Sequence, residues 1–305
     1  MIIPPSLKPG DKIGIVSPAG KIDNDALDNA AGLFEKWGLT VITGPNVFAE
    51  YNQFGGTDAD RAADLQMMLD NDEIKAVLCS RGGYGTLRII DRIDFSRFRA
   101  RPKWIAGYSD ITVLHSHINS NFGIETLHAP MPAELAPQKD PPVSVRSMEL
   151  LKEALFGTLP AYYQPNHSLS RKGKTEGILT GGNLSVLYSL LGSGSDITTS
   201  GRILFIEDVG EYLYHIDRMM TALRRNGFLE NIRGLLVGGM TGMKDNEVPF
   251  GKSAMEIIAD AVEGYDYPLF FGFPAGHQTE NHPLVMGRQA VLSVEDNSSG
   301  LVFRK

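Results

Sequence analysis

IKAVLCSRGGYGTLRIIDRIDFSRFRARPKWIAGYSDITVLHSHINSNFG (74–123) is the stretch whose reading decides the fold. IKAVLCS (74–80) is apolar almost throughout, as a strand buried on both faces must be. The glycine loop RGGYG, a short helix and a second β-like run, KWIAG (103–107), follow it. Residues 110–123 read as a helix closed by Gly123. Short strands alternating with helical patterns are the rhythm of βαβ units and a mostly parallel sheet.

The same rhythm extends outward in both directions. KIGIVS (12–17) opens it, and Asp23 can cap a helix whose apolar positions Ala26, Leu27, Ala30, Phe34 and Trp37 recur at helical spacing before Gly38. LTVIT (39–43) is a second strand, and Ala62, Leu65, Met68 and Leu69 mark another helix. GIETLHAP adds a fifth strand after residue 123. Five strands with crossover helices predict an α/β, flavodoxin-like N-terminal domain over 1–133.

From 134 to 172 the composition turns to proline and polar residues around one amphipathic helix, SMELLKEALFG, and the stretch reads as a linker. Residues 173–305 carry EGILTGGNL, GRILFIED, the helix LYHIDRMMTALRRNG, IRGLLVGGMTG, a helix near 252–263 and PLFFGFPAGH. QAVLSVED and GLVFRK look antiparallel and half-buried. The expectation is a smaller C-terminal α/β or α+β domain.

Composition narrows the partners. Acidic residues outnumber basic ones, 36 to 29, and no run of Lys or Arg could follow a phosphate backbone, so no nucleic acid is expected. No stretch of about 18 uninterrupted apolar residues occurs and the first residues do not resemble a leader, so a cytoplasmic protein without a membrane partner is expected. The single cysteine, Cys79, sits in a buried-strand pattern and reads as structural.

Gly107-Tyr108-Ser109-Asp110 joins the strand KWIAG to a helix with no intervening loop. Such a turn lifts a serine hydroxyl clear of the sheet edge, and the next N–H, at the positive end of a helix, can bind an oxyanion. The pattern falls short of G-x-S-x-G, and the plain alternative is that Ser109 or Asp110 caps the helix. Position favours chemistry, because sites in open parallel sheets form at the carboxyl ends of strands, beside RGGYG (81–85) here. RGGYG could bring backbone N–H groups to an anion or be an ordinary tight turn; it has neither P-loop nor dinucleotide spacing, so no cofactor is expected.

A serine nucleophile needs a histidine base and an acid to orient it. His115 and His117 lie on the helix after Ser109, His167 in the linker and His215 in a helix near Arg218. His128 follows the fifth strand. His277, in a Gly- and Pro-containing strand-end loop, and His282 five residues on are separated only by local context. GRILFIED ends an apolar strand in Glu207 and Asp208, which face opposite sides, so one of them can serve. No H-E-x-x-H or comparable ligand cluster argues for a metal.

Taken in order, PGDKIGIVSPAG, SRGGYG, GYSDIT, GILTGGNLSVL, LFIEDVGE and GFPAGH resemble the LD-carboxypeptidase family, serine peptidases that include the microcin C immunity proteins. The likeness runs from about residue 5 to 293. It implies a Ser-Glu-His triad at Ser109, Glu207 and His277, oxyanion donors at the N–H groups of Asp110 and Gly83, a site between two domains, and a homodimer. The activity it implies is removal of the terminal D-alanine of a murein tetrapeptide. Arg81 and Asn183 are the expected substrate contacts. Two rivals stand beside this reading: a microcin-immunity-type hydrolase of peptidyl or aminoacyl adenylates, and a non-catalytic module that holds an anion on RGGYG.

Overall fold

The computed structural model describes residues 1–136 and 143–305. The N-terminal part runs β1 (Lys12–Val16), α1 (Asn24–Lys36), β2 (Thr40–Thr43), α2 (Asp58–Asp70), β3 (Ile74–Cys79), α3 (Thr86–Ile89), α4 (Ser96–Ala100), β4 (Trp104–Gly107), α5 (Thr112–Phe122) and β5 (Thr126–His128). Its strands pair in parallel in the order β2-β1-β3-β4-β5, the flavodoxin-like order.

Alternation explains why these runs are apolar on both faces. Ile13, Ile15, Ala76, Leu78, Trp104 and Ala106 point into one core with Phe34 and Leu27 of α1. Val16, Val77, Cys79 and Ile105 point into another, under α2, α4 and α5. Helix ends are set locally. Thr57 and Asp60 form a reciprocal capping box on α2, and Gly123, in left-handed conformation, stops α5. Asp23 takes the N-cap position of α1, but its side chain makes no capping hydrogen bond.

The remainder comprises α6 (Val145–Leu155), β6 (Ala161–Pro165), β7 (Gly173–Asn183), α7 (Leu184–Leu190), β8 (Arg202–Val209), α8 (Leu213–Arg225), β9 (Gly234–Thr241), α9 (Ala254–Ala261), β10 (Leu269–Phe271), β11 (Leu284–Met286), β12 (Gln289–Val294) and β13 (Ser298–Phe303). A second sheet has the order β10-β9-β8-β7-β12-β13-β6, parallel from β10 to β7 and antiparallel beyond. Ile203, Phe205 and Leu236 face the core shared with the first sheet, while Leu204, Ile206 and Val237 face α7, α8 and α9.

Two elements fall within the stretch expected to be a linker. α6 buries Leu150, Leu151 and Leu155 in the shared core, and β6 is the edge strand of the second sheet. Residues 137–142 of that stretch lie outside the described residues.

The two sheets are fastened where the site lies. β11 leaves the C-terminal part to pair antiparallel with β5, Leu284 against His128. Arg288, just beyond β11, makes a buried two-pronged ion pair with Glu125, just before β5, at 2.7 and 2.6 Å. Gly182 of β7 abuts Thr112 of α5: an added Cβ would come within 2.5 Å of the Thr112 hydroxyl, which accepts from the N–H of Asn183 at 3.0 Å. Only glycine, here at φ +147°, permits that approach.

Candidate active site

The parallel strands of both sheets point their carboxyl ends at one seam. Ser109 follows β4, Glu207 lies near the end of β8, Asn183 ends β7 and His277 follows β10. Ser109 has φ +63°, an uncommon conformation for a side-chain-bearing residue and the mark of a strained strand-to-helix turn. Gly107, two residues earlier, has φ +153° and packs against Ile111 and Cys79. The Gly107 carbonyl accepts from Ala129 N–H at 3.1 Å and from His115 Nε2–H at 2.8 Å, which ties the turn to β5 and α5.

His277 Nε2 lies 3.2 Å from Ser109 Oγ, and its Nδ1 lies 2.7 Å from Glu207 Oε2. With Nδ1 facing a carboxylate, that nitrogen carries the proton and Nε2 is left to accept from the serine hydroxyl. Glu207 is fully buried, and the His277 side chain is 19% exposed. Burial alone would lower the imidazole pKa, but the charge and hydrogen bond of Glu207, helped by Asp208 and Glu134, outweigh it and hold His277 above its ordinary value.

A register shift in the β8–β9 pairing falls between Ile206 and Asp208, at Glu207 itself. Such an irregularity re-aims side chains. Glu207 reaches His277, while Asp208 accepts from the N–H groups of Ser185 at 2.9 Å and Val209 at 2.8 Å. Burial and the adjacent Glu207 push the Asp208 carboxyl up to about 7. Gly276, at φ +99°, lets the His277 loop close on Glu207, since a Cβ there would fall 2.5 Å from Oε2.

The other expected residues sort by place. Gly82 presses on Ser109: an added Cβ would be 2.8 Å from Ser109 Cβ and 2.9 Å from Oγ. Gly83 follows it at φ +112° and borders the same cleft. Asp110 is buried, its carboxylate accepting from Thr86 N–H at 2.8 Å, which joins the serine turn to RGGYG. Arg81 borders the cleft, with Nη1 donating to the Lys21 carbonyl at 3.0 Å. Asn183 is 3% exposed. Its amide NH₂ donates to Glu207 at 3.3 Å and Asp208 at 3.0 Å, and its oxygen accepts from Val186 N–H at 3.2 Å.

The rival histidines lie elsewhere. His128 is fully buried behind Tyr108, with ring centroids 5.7 Å apart, and burial drives its pKa far down. Burial likewise takes His115 down to about 4. His282 stacks on Tyr162, His117 meets Ser195 and His215 meets Glu211.

The cleft at Ser109 has a volume of about 450 Å³. Three side chains, two lining it and one behind its loops, had no sequence signal strong enough to single them out. Tyr108 packs 4.8 Å from the His277 ring and donates its hydroxyl to Glu134 at 2.9 Å. Glu134 also accepts from Met131 N–H at 2.9 Å, in the reciprocal pattern of a capping box. Arg61, fully buried on α2, donates to the carbonyls of Pro18 and Gly85 and pairs with Asp58, clamping the SPAG and RGGYG loops together. A glutamate three residues past a helix N-cap is a detectable pattern; an arginine on an apolar helix face was the only hint of the clamp.

Among the described residues, no cluster of three or more His, Cys, Asp or Glu is placed to hold a metal ion. Among them, no helix is long and apolar enough to cross a membrane.

Residues 13–129 match the LD-carboxypeptidase N-terminal domain and 176–292 the LD-carboxypeptidase C-terminal domain. The chain belongs to the LD-carboxypeptidase family. It is 36% identical over 297 residues, covering 97% of this chain and 93% of the relative, to the Bacillus subtilis (strain 168) protein named probable murein peptide carboxypeptidase. The fold matches a muramoyltetrapeptide carboxypeptidase from Oxalobacter formigenes with a TM-score of 0.87 at 24% identity, covering 96% of this chain and 99% of that one. It also matches the microcin C7 self immunity protein MccF in complex with aspartyl sulfamoyl adenosine, with a TM-score of 0.88 at 20% identity, covering 100% and 99%.

Proposed function

We propose that this protein is a serine carboxypeptidase that hydrolyses the L,D amide bond of a murein tetrapeptide and releases its terminal D-alanine. The observation that carries this is the continuous chain Ser109 Oγ–His277–Glu207, with spacings of 3.2 and 2.7 Å, whose serine and histidine line a cleft. The family and the names of its relatives supply the substrate class.

In this mechanism the Ser109 hydroxyl attacks the carbonyl carbon on the L-centre of the diamino acid, and its proton passes to His277 Nε2. Glu207 holds the imidazole in the productive tautomer and stabilises the imidazolium. The N–H groups of Asp110 and Gly83 receive the developing oxyanion; the first turn of a helix leaves such donors without intrahelical partners. His277 then protonates the leaving nitrogen, the C–N bond breaks and D-alanine departs. Water, deprotonated by the same imidazole, attacks the ester and returns Ser109.

Arg81 supplies a cation at the cleft for a substrate carboxylate. Asn183, buried against both carboxylates, orients Glu207 in this scheme more readily than it meets a peptide. The division into a nucleophile-bearing domain at 1–133, a connector at 134–172 and a Glu- and His-bearing domain at 173–305 belongs to the same proposal. A homodimer and a cytoplasmic location complete it, the dimer drawn from family resemblance alone.

Mass spectrometry of products from wild type and Ser109→Ala tests the proposal with murein tetrapeptide, murein tripeptide and a processed-microcin analogue as substrates. Loss of one D-alanine from the tetrapeptide by wild type alone is the expected result. Cleavage of the microcin analogue alone would move the assignment to adenylate hydrolysis. Function undiminished in Ser109→Ala would leave only the anion-binding module.

A further inference from the structure

The proposed chemistry gives Asp208 no task, yet this carboxylate is 1% exposed and bonded through both oxygens. Its Oδ2 accepts from the Ser185 N–H of α7 at 2.9 Å, and its Oδ1 accepts from the Val209 N–H of β8 at 2.8 Å. Two backbone groups on different elements therefore fix it in place. Asn183 is fixed from its other end, where Oδ1 accepts from the Val186 N–H at 3.2 Å and the Ser185 hydroxyl at 2.8 Å. That leaves the amide NH₂ facing β8, where it donates to Asp208 Oδ1 at 3.0 Å and to Glu207 Oε1 at 3.3 Å. Glu207 thus has its two oxygens held by different groups, Oε1 by Asn183 and Oε2 by the backbone N–H and Nδ1–H of His277.

We propose that Asp208 is a positioning residue for the triad, which acts by holding the Asn183 amide against Glu207. This deepens the carboxypeptidase reading and rests on it. A carboxylate held at one oxygen can still swing about that contact, and anchoring Oε1 removes this freedom and keeps Oε2 on the imidazole. An aspartate suits the task because a carboxylate offers acceptors at both oxygens and no donor, and three donors converge on this one. The Asp208 charge also acts through space to favour the protonated form of His277, so position and charge have to be separated by experiment.

The test measures kcat and KM for D-alanine release from a murein tetrapeptide by wild type, Asp208→Ala, Asp208→Asn, Asn183→Ala and the double variant Asp208→Ala with Asn183→Ala. In Asp208→Ala, kcat should fall about tenfold or more, with KM within about twofold of wild type. Asp208→Asn keeps an acceptor for the Asn183 amide without the charge and should recover most of the loss. Because Asp208 acts through Asn183, the double variant should be slower than Asn183→Ala by no more than about twofold. Equal losses in Asp208→Ala and Asp208→Asn, or losses that multiply in the double variant, would overturn the proposal. Should Asp208→Ala fail to fold, Asp208→Glu, which keeps the charge and moves the acceptors by one methylene, should turn over more slowly than Asp208→Asn; the reverse order counts against positioning. The low-field proton resonance of the His277 Nδ1–H, read by NMR without substrate, should shift or vanish in Asp208→Ala, and its persistence unchanged would also defeat the proposal. If wild type releases no D-alanine, the carboxypeptidase reading fails, and that resonance still decides the positioning role.

Discussion

His277 Nε2 and Ser109 Oγ, 168 positions apart in the chain, stand 3.2 Å from each other across the seam between two sheets. One group arrives on the turn after β4 and the other on the loop after β10. Their spacing depends on how rigidly the seam is held, and the predictions below probe that relationship from both sides.

Ser109 sits at φ +63°, a conformation that costs a non-glycine residue about 1 kcal/mol or more. Ser109→Gly should therefore raise unfolding stability by about 1 kcal/mol while reducing peptide hydrolysis to background. Ser109→Ala should lose activity without the gain in stability. Urea unfolding of the three proteins checks the strain, and a Ser109→Gly protein no more stable than wild type would contradict it.

In the proposed mechanism His277 is the general base, and a general base must be neutral to act. Because Glu207 and its neighbours hold the His277 imidazole above its ordinary value of 6.5, kcat/KM should decline as pH falls, with a half-maximal point above 6.5. In Glu207→Gln that limb should move to lower pH, and kcat should fall by roughly 100-fold or more. Stability follows the same linkage. A raised histidine pKa contributes stability that is complete below the unfolded value and lost as pH rises through the folded one. Glu207→Gln should remove that part of the pH dependence, as thermal unfolding at several pH values will show.

Gly82 needs no left-handed backbone, but a methyl group there would lie 2.9 Å from Ser109 Oγ. Gly82→Ala should lower kcat/KM by about 100-fold or more through displacement of the nucleophile. The melting temperature should stay within a few degrees of wild type. Near-normal turnover would show that Ser109 tolerates more movement than the packing implies.

Glu125 and Arg288 join the two sheets through a buried pair whose side chains are 3% and 9% exposed. Removing one partner strands a buried charge, so Arg288→Met should cost about 3 to 5 kcal/mol. Replacing both, as in Glu125→Leu with Arg288→Met, should recover much of that loss. A double-mutant cycle in urea measures the difference.

Much of the fold is legible because it rests on local rules. The buried-strand runs, the amphipathic face of α1 and the glycine that ends α5 are each set within about a dozen residues, and the parallel sheet follows from their alternation. β6 was illegible for the opposite reason: an edge strand pairs on one side only, so AYYQP shows neither continuous apolar character nor clean alternation. β11 hid because it pairs with β5, more than 150 residues earlier in the chain, a partner no local pattern reveals. Asp23 takes the expected N-cap position of α1, but its side chain makes no capping hydrogen bond and borders the cleft.

At the site, Ser109 could be singled out from sequence because a strand running into a helix with no loop is a local event. His277 and His282 were equivalent by local context; resemblance favoured the first, and geometry separates them by placing only His277 on Ser109 and Glu207. Glu207 and Asp208 differ by one position in a strand, and a register shift set by pairing with β9 aims them. Glu134, Tyr108 and Arg61 meet the cleft or its loops through contacts made only after the chain is packed. Sequence alone therefore determined most of the strands and helices, though not β6 or β11, and the turn that carries the serine, since these follow from hydrophobic period and backbone stereochemistry. Beyond what resemblance implied, only tertiary structure places that histidine, that carboxylate and the surrounding charges at the serine, because the distance between remote side chains is a property of packing and has no counterpart in local sequence.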